Sequence, residues 1–290
     1  MNKAKSPKGP QVASKDFREP PEASQLVLTP RDQAMVAGIN RWYDRRMFEP
    51  RMRNTEFANY GYWERHTRTC QEACESLMEK LLAFIPEKKG SILDVACGKG
   101  GTTRYLLKYY RPEDVTGINI SQKQLQRCIA IAPGCNFVLM SATELDFDDN
   151  SFDNILCVES VFHFNTRETF LQEALRVLKP GGRLVLSDIL LRRLAYAHSS
   201  LKVLENYVPD LRHYNELYSR TGFRDVQVID ATLESWVRIY RRAMSAAIRS
   251  FRAYQIGRDS FWRRVAWLQR KRKRIMRYLL VSAEKSADRN

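Results

Sequence analysis

From residue 91 onward the chain alternates short, almost continuous apolar runs with stretches whose apolar residues recur every three or four positions. The runs are SILDVAC (91–97), VTGINI (115–120), NFVLM (136–140), NILCVES (154–160), RLVLSDIL (183–190), DVQVIDA (225–231) and IMRYLLVSA (275–283). Each reads as a β-strand, and runs with no polar alternation are what strands buried on both faces look like. Helices are predicted between them at about 101–110, at 121–131 and near 166–178, where Thr166 can cap. A turn, Lys179-Pro180-Gly181-Gly182, leads into the fifth run. Strands and helices alternating in this way predict an α/β fold, a parallel sheet covered by helices on both faces. No internal repeat is visible.

The flanks have a different rhythm. Residues 1–30 hold five of the eleven prolines among Lys, Ser, Glu and Gly, a composition that cannot bury enough apolar surface to order a chain, so a disordered tail is expected. A helix is predicted near 31–48 (Met35, Ile39, Trp42, Tyr43), then an aromatic loop, NTEFANYGYW (54–63), then an amphipathic helix over 67–85 that Pro86 stops. Between the last two strands, residues 232–274 carry a helical stripe of Trp236, Tyr240, Ala243, Ala247, Phe251 and Tyr254, with arginines off the stripe, and then a second short helix. The expected organisation is a tail at 1–30, helices and loop at 31–90, a core at 91–231, a helical insert at 232–274 and a closing strand and tail at 275–290.

Charge changes the picture of that insert. The chain carries a net +15, and residues 191–290 hold 22 Lys and Arg against 9 Asp and Glu, so +13 of the excess lies in the last third. Such asymmetry suits a nucleic acid, a membrane surface or an anionic ligand, or is only a solvated helix face. Elsewhere the composition is that of a globular protein. No run approaches the roughly 18 apolar residues of a membrane span, and the first residues lack the apolar core of a secretory signal. The six cysteines form no CxxC pair and no zinc-type cluster, which with the missing signal points to reduced thiols and a cytoplasmic location.

The candidate chemistry sits in ILDVACGKGG (92–101). Glycines at a strand-to-helix turn let a ligand approach the backbone, and the helix's N–H groups favour an anionic group. A glycine-rich turn alone is weak; here an acid, Asp94, precedes Gly98 and Gly100 in the order Asp-x-x-x-Gly-x-Gly. That stretch resembles motif I of class I S-adenosylmethionine-dependent methyltransferases. The later landmarks VTGINIS, SATELDFDDNSFDNI, ESVFHF, EALRVLKPGGRLVLSD and YSRTGFRDVQV agree in order and spacing over about residues 54–231, and RYLLVSAEK also fits. The resemblance is to the small-molecule branch, which includes sugar, polyketide and lipid O-methyltransferases.

The resemblance implies a Rossmann-like seven-stranded sheet with an N-terminal helical lid and a basic insert before the last strand, binding S-adenosyl-L-methionine. By the same resemblance Gly98 and Gly100 pass under the methionine part and Asp94 is directed at it through the loop or water. Asn119 and Ile120 would meet ribose and adenine, Gln124 the ribose region, Ala142 and Thr143 the adenine pocket, and Glu159 the methionine end. Tyr60 and Tyr62 would fold over the sulfonium, a favourable cation–π arrangement. Three positions depart from the family pattern. Ala96 stands for the usual first glycine, which asks only that a methyl be tolerated. Asn119 stands for an acidic ribose ligand, exchanging charged hydrogen bonds for neutral ones worth about 1 kcal/mol. Ser141 stands where an Asp often meets the adenine amine.

For the transfer itself His163 is the candidate general base, because it follows the fourth strand at the carboxyl edge of the sheet and the ordinary range of an imidazole suits a base at neutral pH. Asp188, ending the neighbouring fifth strand, is expected to orient it. Tyr207, Tyr214 and Tyr218 are expected to wall an acceptor cavity; no metal set is visible, and His66, His198 and His213 lack motif support. The expected reaction is methyl transfer to a hydroxyl, or to carbon or nitrogen, of a hydrophobic small molecule, with the insert serving that cavity or a homo-oligomer contact. The alternatives are an RNA methyltransferase using the insert as its arm, and a cyclase that keeps the fold without moving a methyl. CVESVFHF, which lacks the Asn/Asp-Pro-Pro-aromatic and Pro-Cys motifs of nucleic-acid enzymes, favours the small molecule.

Overall fold

The computed structural model describes residues 30–44, 55–196 and 204–287. Of the tail expected at 1–30 all but Pro30, which opens the first helix, lies outside them, as do the end of the first predicted helix and His198. Seven strands form one sheet: β1 (Ile92–Val95), β2 (Val115–Asn119), β3 (Asn136–Leu139), β4 (Phe152–Val158), β5 (Leu178–Leu191), β6 (Phe223–Asp230) and β7 (Ile275–Lys285). Their order is 3-2-1-4-5-7-6. Strands β1 to β5 pair in parallel, while β7 runs antiparallel between β5 and β6. All seven predicted strands are present.

Neighbouring residues of the central strands enter opposite cores, which accounts for the unbroken apolar runs. Ile92, Leu156, Val185, Tyr278 and Leu280 pack into one cluster, while Leu93, Ile155, Leu184, Leu186, Leu279 and Val281 pack into the other. Helix α2 (Cys70–Leu82) supplies Leu77, Met78, Leu81 and Leu82 to the first face. Helix α5 (Arg167–Val177), capped by Thr166 as expected, supplies Phe170, Leu171 and Ala174 to the second. Helices α3 (Gly101–Leu106) and α4 (Gln122–Ile131) follow β1 and β2, and α1 (Pro30–Asp44) precedes the aromatic loop.

Two features differ from expectation. Strand β5 begins at Leu178, five residues early, because Phe152 pairs with Leu178 and the ladder absorbs the Pro-Gly-Gly turn as an irregularity before Asn154. A helix α6 (Leu211–Thr221) also follows β5, capped by the Asp210 side chain and closed by Gly222 in the left-handed region. It turns Tyr214 and Tyr218 into the core, almost fully buried, rather than onto a cavity wall.

The insert is a π-helical turn (Leu233–Val237) followed by the hairpin α7 (Arg238–Arg252) and α8 (Arg258–Arg274). All six cysteines are free. Among the described residues no helix is long and apolar enough to cross a membrane.

Candidate active site

The cleft lies where β1 and β4 end, and encloses about 370 Å³ with its solvent mouth included. Ala96, Cys97, Gly98 and Lys99 form its floor, Val158, Glu159 and Ser160 one side, and Glu56 to Asn59 its cover. The cover is pressed tightly onto the turn. A Cβ on Gly101 would come within 2.7 Å of the Glu56 backbone, so only glycine admits this approach. Arg127 of α4 clamps the cover with a two-pronged ion pair to Glu56 at 2.6 and 2.9 Å. Ala96 has φ +57, so the position asks for more than room for a methyl: it asks an L-residue to turn left-handed.

Asp94 is buried below this turn and accepts hydrogen bonds from Thr102 and Thr103, each at 2.7 Å. Burial pushes its pKa up to about 6, against the pull of those two hydroxyls. Its carboxylate thus holds the first turn of α3. At the end of β2, Asn119 donates to Gln124 at 2.8 Å and to the Gly98 carbonyl at 3.3 Å, and accepts from the Ser121 N–H at 2.9 Å. The Asn119 amide is therefore committed within the protein. Ser121 in turn donates to Asn40 at 2.8 Å, which ties α1 to this corner. Ile120 follows directly, half-buried; Ala142 is buried in the core and Thr143 meets Ser141 at 3.1 Å.

The two tyrosines of the aromatic loop part at Gly61, whose φ is +71. Tyr60 donates its N–H to Glu159 Oε1 at 2.5 Å, and its ring packs on Trp236 at 5.3 Å and Tyr278 at 6.4 Å. Tyr60 and Tyr62, both expected over the sulfonium, are absent from the cleft lining, and Tyr62 has Lys80 Nζ 5.2 Å from its ring. Residues 56–59 provide the cover instead.

Glu159 ends β4 in a left-handed conformation, φ +52. Its Oε1 accepts from the Tyr278 hydroxyl at 2.7 Å as well as from Tyr60. Burial pushes its pKa up to about 8, although both donors and the charge of Lys271 pull it down. His163 closes a one-turn 3-10 helix (Val161–His163) just beyond, exposed, with its ring centroid 4.0 Å from that of Phe162. Asp188 takes a different role from the orienting carboxylate that was expected. It is fully buried, and Arg167 grips it at 2.7 and 3.1 Å while Tyr214 donates to it at 3.0 Å. His66 and His213 are exposed and sit beside Glu64 and Asp210.

Comparison with known proteins gives this geometry a family. A methyltransferase-domain model matches residues 93–186. The chain is 30% identical over 192 residues to an O-methyltransferase of Aspergillus nomiae, covering 60% of this chain and 83% of that one. The chain belongs to the class I S-adenosylmethionine-dependent methyltransferases. It is also 36% identical over 145 residues to the 27-O-demethylrifamycin SV methyltransferase of Amycolatopsis mediterranei, covering 47% of this chain and about half, 52%, of that relative. In fold it resembles the geranyl diphosphate C-methyltransferase of Streptomyces coelicolor, with a TM-score of 0.62 at 15% identity, covering 89% of this chain and 98% of that one.

The residues present fit the methyltransferase cofactor. Gln124 Nε2 and Asn59 Nδ2 are buried donors with no partner in the protein. Such groups cost about 1–3 kcal/mol if left unpaired. S-adenosylmethionine carries hydroxyl and carboxylate acceptors that would satisfy them. Asn40, Asn59, Arg167 and Tyr278 escaped the sequence reading. Only Asn59 had a signal, its place in the aromatic loop; the others reach the site through contacts distant in sequence.

Proposed function

We propose that this chain transfers a methyl group from S-adenosylmethionine to a hydroxyl of a hydrophobic small-molecule biosynthetic intermediate. The observation that carries this reading is the covered cleft at the ends of β1 and β4, in a chain whose relatives at 30–36% identity include an O-methyltransferase and a demethylrifamycin methyltransferase. S-adenosylmethionine, when bound, supplies an electrophilic methyl on a sulfonium. The protein's part is chiefly positioning, for which effective molarities of about 10⁵–10⁸ M are attainable.

Gly98 and Gly100 with Asn59 hold the amino-acid end, and Gln124 and Ile120 the ribose side with Asn119 behind them. Ala142 and Thr143 border the adenine, and Tyr60 holds Glu159 at the methionine end. His163 takes the proton from the acceptor hydroxyl. Its ring is exposed, just beyond Glu159 at the carboxyl edge of the sheet.

The test is transfer of label from methyl-labelled S-adenosylmethionine to phenolic and polyketide acceptors by the purified chain. His163→Ala is expected to lower kcat by about 10²–10⁴ while S-adenosylhomocysteine binds as before. Full turnover in that variant removes His163 from the reaction, and an acceptor product of unchanged mass removes methyl transfer.

A further inference from the structure

The α7–α8 hairpin carries a surface that lies outside the cleft lining. At its foot it is tied to the body. Arg238 donates to the Trp63 carbonyl, and Arg242 donates to the Thr67 carbonyl at 2.5 Å with its guanidinium 4.3 Å from the Trp63 ring centre. Towards the turn between the helices the pattern inverts. Phe251, Tyr254 and Trp262 are 38, 94 and 57% exposed, and Ile248 is exposed with them. Phe251 stacks on Phe261 at 4.6 Å, and Phe261 meets Trp262 at 5.2 Å, so the rings form one cluster beside the turn. Tyr254 occupies the turn itself with φ +54, a conformation that L-residues adopt reluctantly.

Arg249, Arg252, Arg258 and Arg263 flank these rings along the chain, and Asp259 is the one acid in the two helices against 13 Lys and Arg. The charge selects the occupant. A second copy of this chain would bring an equally basic hairpin, and like charges in contact repel. A single-stranded nucleic acid stacks successive bases on a row of open ring faces, whereas Phe251 and Phe261 turn their faces to each other and leave Tyr254 and Trp262 as the open rings. An anionic bilayer answers both halves of the pattern. Tyr and Trp settle at headgroup depth, and arginines meet the negative surface.

We propose that the turn of the α7–α8 hairpin is a peripheral docking element for membranes that contain anionic lipid. The hairpin lies on the surface, with its aromatic turn seated among the headgroups. This goes beyond the proposed methyl transfer and is read without any acceptor.

The experiment is sedimentation of the full chain with vesicles of phosphatidylcholine alone or mixed with phosphatidylglycerol. Binding to the mixed vesicles is expected to exceed binding to the neutral ones and to weaken with salt. Replacing Arg252→Gln and Arg258→Gln together should lower partitioning about 30-fold, from about fivefold per charge. Replacing Tyr254→Ser and Trp262→Ser together should lower it on the order of tenfold. S-adenosylhomocysteine binding should be unchanged in both variants, since no residue of the cleft is altered. Equal binding to both vesicle types overturns the proposal, as does no binding to either. So does an RNA complex that anionic vesicles fail to displace, or a dimer that the Tyr254 and Trp262 replacements convert to monomer.

Discussion

Glu159, just past the end of β4, and Asp188, within β5, stand side by side on neighbouring strands, yet chemistry separates the two carboxylates. Asp188 faces Arg167, a cation at 2.7 Å, with Tyr214 closing the remaining side. Glu159 has two neutral donors, Tyr60 N–H and the Tyr278 hydroxyl, and its pKa is pushed up to about 8. One carboxylate is thus tied into an ion pair, and the other is a group whose pKa burial raises. Position at the carboxyl edge of a parallel sheet does not by itself make an acid catalytic. What differs here is that Glu159 lines the cleft, whereas Asp188 is sealed against α5 and α6.

The sharpest way to break this contrast is at Arg167. Arg167→Met leaves Asp188 buried without its cation, and removing one partner of such a pair costs about 3–5 kcal/mol. Urea unfolding of the variant should show that loss. The double replacement Arg167→Met with Asp188→Leu should recover most of it, because the stranded charge is then gone. A single variant as stable as the parent would mean that the pair is dispensable and that Asp188 is available for another role.

A smaller effect is expected at Glu159. Its folded pKa, about 8, lies above the ordinary carboxyl value of 4.5. Between those values the folded chain binds more protons than the unfolded one, so stability falls as pH rises from about 5 to about 8. The slope from one group cannot exceed about 1.4 kcal/mol per pH unit. Asp94, with its pKa at about 6, adds a slope of the same sign over the lower part of that window. Glu159→Gln should remove the upper part and reduce the lower to the Asp94 share, as read by thermal unfolding of the ligand-free protein at several pH values. Identical slopes above pH 6.5 in the two proteins, about the upper edge of the Asp94 window, would contradict the assignment of this titration to Glu159.

Most of the fold was legible because the central strands are buried on both faces and write themselves as unbroken apolar runs. The floor of the cleft was legible because a close backbone approach needs glycine, and Gly98, Gly100 and Gly101 stand together after Asp94. What escaped depends on long-range pairing. No spacing rule joins Arg167 to Asp188, which are 21 residues apart, or Asn40 to Ser121, which are 81 apart. Helix α6 had readable ends in Asp210 and Gly222, but its tyrosines suggested a cavity wall because an aromatic cluster has two uses, packing and recognition. Tyr60 and Tyr62 are two positions apart, and only the left-handed turn at Gly61 decides which of them meets Glu159.

The same contrast extends to backbone shape, where the smallest effect is expected. The cleft-facing strands β1 and β4 are followed by residues turned left-handed, Ala96 at φ +57 and Glu159 at φ +52, whereas Asp188 lies within the continuing strand β5. Left-handed geometry costs an L-residue roughly 1–2 kcal/mol. Glycine removes that strain but loses about 0.5–1 kcal/mol to the greater freedom of the unfolded chain. Ala96→Gly should therefore leave stability unchanged or raise it by up to about 1.5 kcal/mol, seen as an equal or higher midpoint of thermal unfolding. A clear fall in the midpoint would mean that the Ala96 methyl contributes packing worth more than the strain it imposes, and that the floor of the cleft is held by side-chain contact rather than by backbone shape.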